Sequence, residues 1–282
     1  MLTFVAMISN RESSIGFFDS GYGGLTILKE VVAKMPEYDY VYLGDNARAP
    51  YGSRSFETVY EYTLECVKKL FEMDCELVVL ACNTASAKAL RSIQQKDLPT
   101  LAPHKRVLGV IRPTTEIISS YTKTNKVGVL ATSGTVSSQS YVIEINKFSP
   151  EVEVFQEACP MWVPLIENNE INNEGADYFF KKHIENLLNK NNEIDTILLG
   201  CTHYPLIINK IKSLVPPNIN VIAQGELLAN SLHDYLKRHT EIEVKLGKNK
   251  NVEFFTTDST ELFDQHAGAF YGTEIKSQHL KL

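Results

Sequence analysis

Leu77-Val78-Val79-Leu80-Ala81-Cys82-Asn83-Thr84-Ala85-Ser86 is the stretch whose reading decides the fold. Five apolar residues with two adjacent valines predict a strand buried on both faces. The run stops at Cys-Asn-Thr, and Ala85-Ser86-Ala87-Lys88-Ala89-Leu90 then takes up helical composition. A thiol, an amide and a hydroxyl therefore stand at the carboxyl end of a central strand, in the turn entering a helix. Open α/β sheets bind their ligands there. The partial positive charge of a helix N-terminus favours the thiolate of Cys82. The plainer reading is that free cysteine is a small buried hydrophobe and most such residues are inert packing.

A second stretch weighs against the plainer reading. Asp195-Thr196-Ile197-Leu198-Leu199-Gly200-Cys201-Thr202-His203-Tyr204-Pro205-Leu206 has the same plan: an apolar strand, a small residue, a cysteine, polar side chains, then a helix. Ile15-Gly16-Phe17-Phe18-Asp19-Ser20 likewise resembles Val127-Gly128-Val129-Leu130-Ala131-Thr132. The separation of the two glycine strands matches that of the two cysteines to within an ordinary loop insertion, which predicts two copies of one α/β unit. The expected fold is α/β, with two similar doubly wound domains of mostly parallel strands and a site in the cleft between them. Residues 1–14 read as an extension. The first domain covers 15–110 and is completed by 223–282, and the second covers 111–222.

Composition bounds the function. The 282 residues are 44% hydrophobic and 22% charged, ordinary for a globular chain with a sizeable core. A net charge of −6 without a Lys/Arg cluster argues against nucleic-acid binding. Five cysteines, an odd count without a CxxC pair, fit a reducing compartment. No apolar run reaches membrane-spanning length, and the apolar start lacks the charge and cleavage pattern of a signal peptide. A cytoplasmic protein without a membrane partner is expected.

Along the chain, Asp19-Ser20-Gly21-Tyr22-Gly23-Gly24 follows the first strand and precedes a helix. The third glycine of a dinucleotide fingerprint falls on Thr26, so that reading fails. The glycines instead allow backbone N–H groups to approach a small anion such as a carboxylate. Tyr40-Val41-Tyr42-Leu43 reads as a strand, and Pro50-Tyr51-Gly52 as a loop that presents donors and a phenol to the cleft or is merely a turn. Ser55 caps a helix reaching about 73, on which Cys66 packs, with Cys75 just beyond it. A helix is expected over about 137–147 and a strand over 152–156. Cys159 before Pro160 reads as structural, and a helix over about 175–189 follows. The strand at Val221-Ile222 leads to a helix over 226–239. Phe254-Phe255 marks the last strand, ahead of a terminal helix over 260–270.

Two thiols on opposite walls of a cleft can flank one tetrahedral carbon. One, as thiolate, removes a proton from one face while the other, as thiol, delivers a proton to the opposite face, which inverts a stereocentre. The α-hydrogen of an amino acid is a far weaker acid than a thiol, so the site must stabilise a developing enolate with preorganised donors. Ser, Thr, Asn and backbone N–H groups at strand ends suit that role. Asp19 beside one thiol and His203 two residues from the other are placed to tune the proton transfers.

The chain resembles the cofactor-independent glutamate racemases of bacteria, within the aspartate/glutamate racemase superfamily. The resemblance rests on Phe18-Asp19-Ser20-Gly21-Tyr22-Gly23-Gly24-Leu25, on Gly44-Asp45 with Pro50-Tyr51-Gly52, and on the two cysteine stretches, in that order. It implies that Cys82 deprotonates the D-enantiomer and Cys201 the L-enantiomer, with Asp19, Glu167 and His203 assisting. It implies substrate contacts from Ser20, Pro50, Tyr51, Gly52, Asn83, Thr84, Thr132, Thr135 and Thr202, and D-glutamate supplied for peptidoglycan. The implied ligand is L- or D-glutamate, without metal or other cofactor, in a single chain or a homodimer. Two positions depart from the family: Ala223-Gln224-Gly225-Glu226 stands where an acidic residue and a serine are frequent, and Arg112 precedes Pro113.

Rival readings are an aspartate racemase, a decarboxylase relative, an amino-acid-binding module and a zinc site. Aspartate racemases typically carry His at the place of Ser86 and Glu at that of His203. The decarboxylases keep one cysteine, and a binding module needs neither. Cys82, Cys201 and His203 supply only three ligands for zinc, without metal-site spacing.

Overall fold

The computed structural model describes residues 13–282. The extension expected over 1–14 lies outside the described residues except at its end, where Ser13 bridges to Leu246 and Ser14 already opens the first strand. The described residues form ten strands: β1 (Ser14–Asp19), β2 (Tyr40–Gly44), β3 (Cys75–Leu80), β4 (Arg106–Gly109), β5 (Lys126–Ala131), β6 (Glu153–Ala158), β7 (Thr196–Gly200), β8 (Asn220–Ile222), β9 (Val252–Thr256) and β10 (Ser277–His279). They make two sheets, ordered β10-β9-β2-β1-β3-β4 and β6-β5-β7-β8, and every pairing in them is parallel.

The internal repeat is visible in this order. β1 lies between β2 and β3, just as β5 lies between β6 and β7, so both halves wind alike. The two cysteine strands, β3 and β7, take equivalent central places, and all six residues of β3 and all five of β7 are buried. Strands covered on both faces need continuous apolar runs, as both have. Neighbouring residues on one strand enter different cores: Phe17 and Val79 face one apolar cluster, Phe18 and Val78 the other.

Helices with an apolar stripe cover the sheets. Ser55 Oγ accepts from the Thr58 amide at 3.1 Å and starts the helix Phe56–Glu72, which buries Val59, Thr63, Cys66, Val67, Leu70 and Phe71. The helix Leu25–Lys34 packs on Gly225–Arg238. A Cβ on Gly225 would lie 2.7 Å from Glu30 Cγ and 3.2 Å from the Thr26 carbonyl, so a larger residue at this crossing would have to displace the Glu30 side chain.

Some expectations change. Phe254 and Phe255 are not in the last strand, because β10 pairs beyond β9. The helix expected over 137–147 is two pieces, Ser133–Ser137 and Ser140–Phe148, separated where Gln139 adopts φ 56°. After Cys201 the chain makes a 3-10 turn, Tyr204–Ile207, before the helix Ile208–Leu214. The chain leaves the six-stranded sheet after β4, enters the four-stranded sheet at β5, and returns after β8. Both crossings lie beside the carboxyl ends of the central strands.

Candidate active site

A cavity of about 160 Å³ opens between the carboxyl ends of the two sheets. Ser20, Pro50, Tyr51, Gly52, Cys82, Asn83, Thr84, Thr132, Glu167, Cys201, Thr202 and His203 all line it. Asp19 and Thr135 stand behind the wall, fully buried. The two cysteines, far apart in sequence, thus reach one cavity from equivalent strand ends.

Cys82 occupies the cap position of the helix Asn83–Lys88, its Sγ 3.5 Å from the Ala85 amide and 3.5 Å from Ser20 Oγ. The helix start was expected to favour the thiolate. Burial overrides it: desolvation, with the neighbouring Asp19 carboxylate, pushes the thiol up to about 12 despite these donors. Cys82 is therefore a thiol at neutral pH.

Cys201 stands in a different field. Its Sγ is 3.9 Å from His203 Nδ1, and His203 Nε2 meets Glu167 Oε1 at 2.8 Å. Burial disfavours a charged imidazole. Hydrogen bonding to Cys201 and Glu167 outweighs it and lifts His203 to about 10, so the ring is an imidazolium at neutral pH. Phe270 packs edge-to-face with this ring, with centroids 5.2 Å apart.

The glycine-rich turn does bind a carboxylate, but it is the protein's own. Asp19 Oδ1 accepts from the Gly21 amide at 2.9 Å, and Thr202 Oγ1 donates to Oδ2 at 3.4 Å. Burial raises the Asp19 carboxyl, opposed by the charge of His203 and by the Gly21 and Gly24 amides. A Cβ on Gly23 would lie 2.2 Å from Thr202 Oγ1 and 2.5 Å from His203 Nδ1, so this glycine lets the first sheet's turn reach the second cysteine loop.

The Pro50-Tyr51-Gly52 loop faces the cavity differently from expectation. The Tyr51 hydroxyl donates to Asp45, which also takes Arg48 Nε at 2.7 Å, so the phenol does not project free into the cleft. The Gly52 carbonyl accepts from the Gly134 amide at 2.7 Å, across the cleft. Thr84 Oγ1 and Thr132 Oγ1 meet there at 2.9 Å, with Thr135 Oγ1 3.1 Å from Thr132.

Ala49, Ser53, Ser133, Cys159, Pro160, Val163 and Pro164 also line the cavity and were not read as site residues. Cys159 follows the carboxyl end of β6, so the strand-end rule applied there would have found it. Ser86 lines a second cavity, of about 690 Å³, and not the cysteine cleft. Among the described residues no group of three or more His, Cys, Asp or Glu is placed to hold a metal, and no helix is long and apolar enough to cross a membrane.

Two like-wound α/β halves, with one cysteine from each at a shared cleft, define a class of two-lobed α/β protein. Known proteins of this class are similar to the whole chain. The family model Asp/Glu/Hydantoin racemase matches residues 25–232. The glutamate racemase of Sulfurihydrogenibium sp. is 38% identical over 269 residues, covering 95% of this chain and 97% of that protein. A glutamate racemase isoform from Bacillus anthracis superposes with a TM-score of 0.86 at 33% identity, covering 96% of this chain and 98% of the other. The Francisella tularensis glutamate racemase, solved in complex with D-glutamate, superposes at 0.83 with 31% identity, covering 96% and 97%. The chain belongs to the Asp/Glu/hydantoin racemase family, and it is a racemase.

Proposed function

We propose that this racemase interconverts L- and D-glutamate by two-base chemistry at Cys82 and Cys201, without pyridoxal or metal. The observation that carries the reading is that Cys82 and Cys201, from equivalent strand ends of two like-wound halves, line one cavity. In the L to D direction the Cys201 thiolate takes the α-proton, leaving an enolate of the substrate carboxylate. The Cys82 thiol then gives its proton to the opposite face. Cys201 ends as thiol and Cys82 as thiolate, and exchange with solvent resets both. The reverse direction exchanges the roles. The fields at the two sulfurs support this assignment: an imidazolium stands beside Cys201, while Cys82 is held protonated.

Asp19, Glu167 and His203 assist these transfers in this reading. His203 with Glu167 supplies positive charge next to Cys201, and Asp19 sets the field at Cys82. Ser20, Pro50, Tyr51, Gly52, Asn83, Thr84, Thr132, Thr135 and Thr202 bind substrate, Tyr51 and Thr135 mainly by holding the wall. Glutamate is preferred to aspartate on the strength of His203. Ser86, outside the cleft, contributes to that choice only as a resemblance. The product serves peptidoglycan synthesis in the cytoplasm. The chain divides as two domains, 15–110 with 223–282 and 111–222.

The test is protiated L-glutamate in deuterated water, sampled at low conversion. D-glutamate should carry α-deuterium while the unreacted L-pool stays protiated. Early deuteration of the L-pool is the mark of a single base and overturns the scheme. Comparable turnover of aspartate overturns the substrate assignment, and activity that requires added metal or pyridoxal phosphate overturns the chemistry. Cys82→Ala and Cys201→Ala should each abolish racemisation in both directions.

A further inference from the structure

Gln224 lies on the return crossing, between β8 and β9, directly before the helix Gly225–Arg238. It is 2% exposed, and its side chain has several polar partners. Nε2, with two hydrogens for three acceptors, reaches the Tyr141 hydroxyl at 2.8 Å and the Val110 carbonyl and Thr114 Oγ1 at 3.2 Å each. Oε1 accepts from Asn83 Nδ2 at 2.8 Å, and the Tyr141 hydroxyl donates to Asn83 Oδ1 at 2.6 Å. Asn83, Gln224 and Tyr141 thereby close a ring of three hydrogen bonds, each donor passing to the next.

The direction of that ring is forced. The Val110 carbonyl can only accept, so the Gln224 atom facing it is the amide nitrogen, and the oxygen must face Asn83. Asn83 then has to present its nitrogen to Gln224 and its oxygen to Tyr141. With Asn83 3% exposed and Tyr141 fully buried, turning the Asn83 amide over would set its oxygen against the Gln224 oxygen and take away the acceptor of the Tyr141 hydroxyl.

The ring also joins both crossings to both cysteine loops. Val110 and Thr114 follow β4 on the outward crossing, and Gln224 lies on the return. Asn83 adjoins Cys82. The Tyr141 ring lies against Gly200, the residue before Cys201, where a Cβ would come within 3.0 Å of Cε2. We propose that Gln224 and Tyr141 are positioning residues of the racemase: they lock the Asn83 amide in one orientation at the cavity wall and tie that orientation to the two interdomain crossings. The proposal rests on Asn83 being a substrate contact, and its function is to present the remaining Asn83 N–H to bound glutamate rather than a carbonyl oxygen.

The test is a double-mutant cycle on the full chain. Gln224→Met and Tyr141→Phe are each made alone and with Asn83→Ala, and kcat, KM and thermal midpoint are measured for L-glutamate. Each single variant should lower kcat/KM by about tenfold, the scale of one oriented hydrogen bond. In the Asn83→Ala background the further loss should fall below about twofold, because the group being positioned is gone. Equal losses in both backgrounds show a merely structural role and overturn the proposal. Tyr141→Phe removes a single oxygen and keeps the ring on Gly200, so it carries the test if Gln224→Met does not fold. An activity-independent arm follows solvent exchange of the Asn83 side-chain amide by NMR. It should be slow in the native chain and at least about tenfold faster in Tyr141→Phe. Unchanged exchange overturns the proposal even if the native chain proves inactive on glutamate, an outcome that counts against the substrate reading instead.

Discussion

Burial disfavours the charged form of both Cys82 and His203, two groups of one cavity, yet it prevails only at Cys82. For Cys82 desolvation dominates, and the thiol rises to about 12 from an ordinary 9.0. At pH 7.5 the thiolate fraction is then lower by roughly two to three powers of ten than in an unstructured cysteine. Iodoacetamide should label Cys82 at least ~100-fold more slowly than the same peptide in denaturant, read by peptide mass spectrometry. Equal labelling rates would contradict the buried-thiol assignment. For His203, bonding to Cys201 and Glu167 outweighs burial, and the imidazole rises from 6.5 to about 10. A raised folded pKa contributes stability that is complete below the unfolded value and disappears as pH climbs through the folded one. The stability difference between the native chain and His203→Asn should therefore be largest below about pH 6.5 and shrink up to about pH 10. Denaturant melts at several pH values check the slope, and a difference that grows with pH refutes it.

At the scale of elements, the cleft is closed by contacts between short turns rather than by long faces. The helix start at Gly134 donates to the Gly52 carbonyl, and a Cβ on Gly134 would lie 2.8 Å from that same oxygen. Gly134→Ala should push the Pro50-Tyr51-Gly52 loop away from the second sheet. We expect KM for glutamate to rise about tenfold or more while stability falls by only about 1–3 kcal/mol, the usual cost of overpacking. An unchanged KM would show that the loop does not close on substrate. Asp45 holds the other end of this loop through Tyr51 and Arg48, so the loop's position is set from inside the first sheet.

For the whole molecule, the cavity of the two cysteines lies between sheets that the chain joins by two crossings, so a ligand in it would tie both halves together. Binding to the folded state alone stabilises by RT ln(1 + [L]/Kd), about 2.7 kcal/mol at a hundredfold excess over Kd. Both L- and D-glutamate should raise the thermal midpoint of Cys82→Ala, which cannot turn one into the other, and aspartate should raise it much less. A midpoint that ignores both enantiomers would argue against glutamate as the ligand.

Sequence alone determined the doubly wound architecture, the repeat and the two cysteine strand ends. These are local matters: an apolar run of strand length, a polar break and a helical stripe follow from burial and backbone geometry within a few residues. Tertiary structure alone decided what each polar group meets. The glycine turn was legible as an anion cradle, but only packing made the anion Asp19. The helix start at Cys82 spoke for a thiolate, and only burial made it a thiol. Cys159 read as structural and is fully buried in the core, and only the placement of β6 shows that it also lines the cavity. Tyr141, in a helix with no motif, and Gln224, visible only as a departure, lie far from Asn83 in sequence. No local pattern encodes such a meeting, because a hydrogen bond between distant segments depends on how the sheets and crossings are placed.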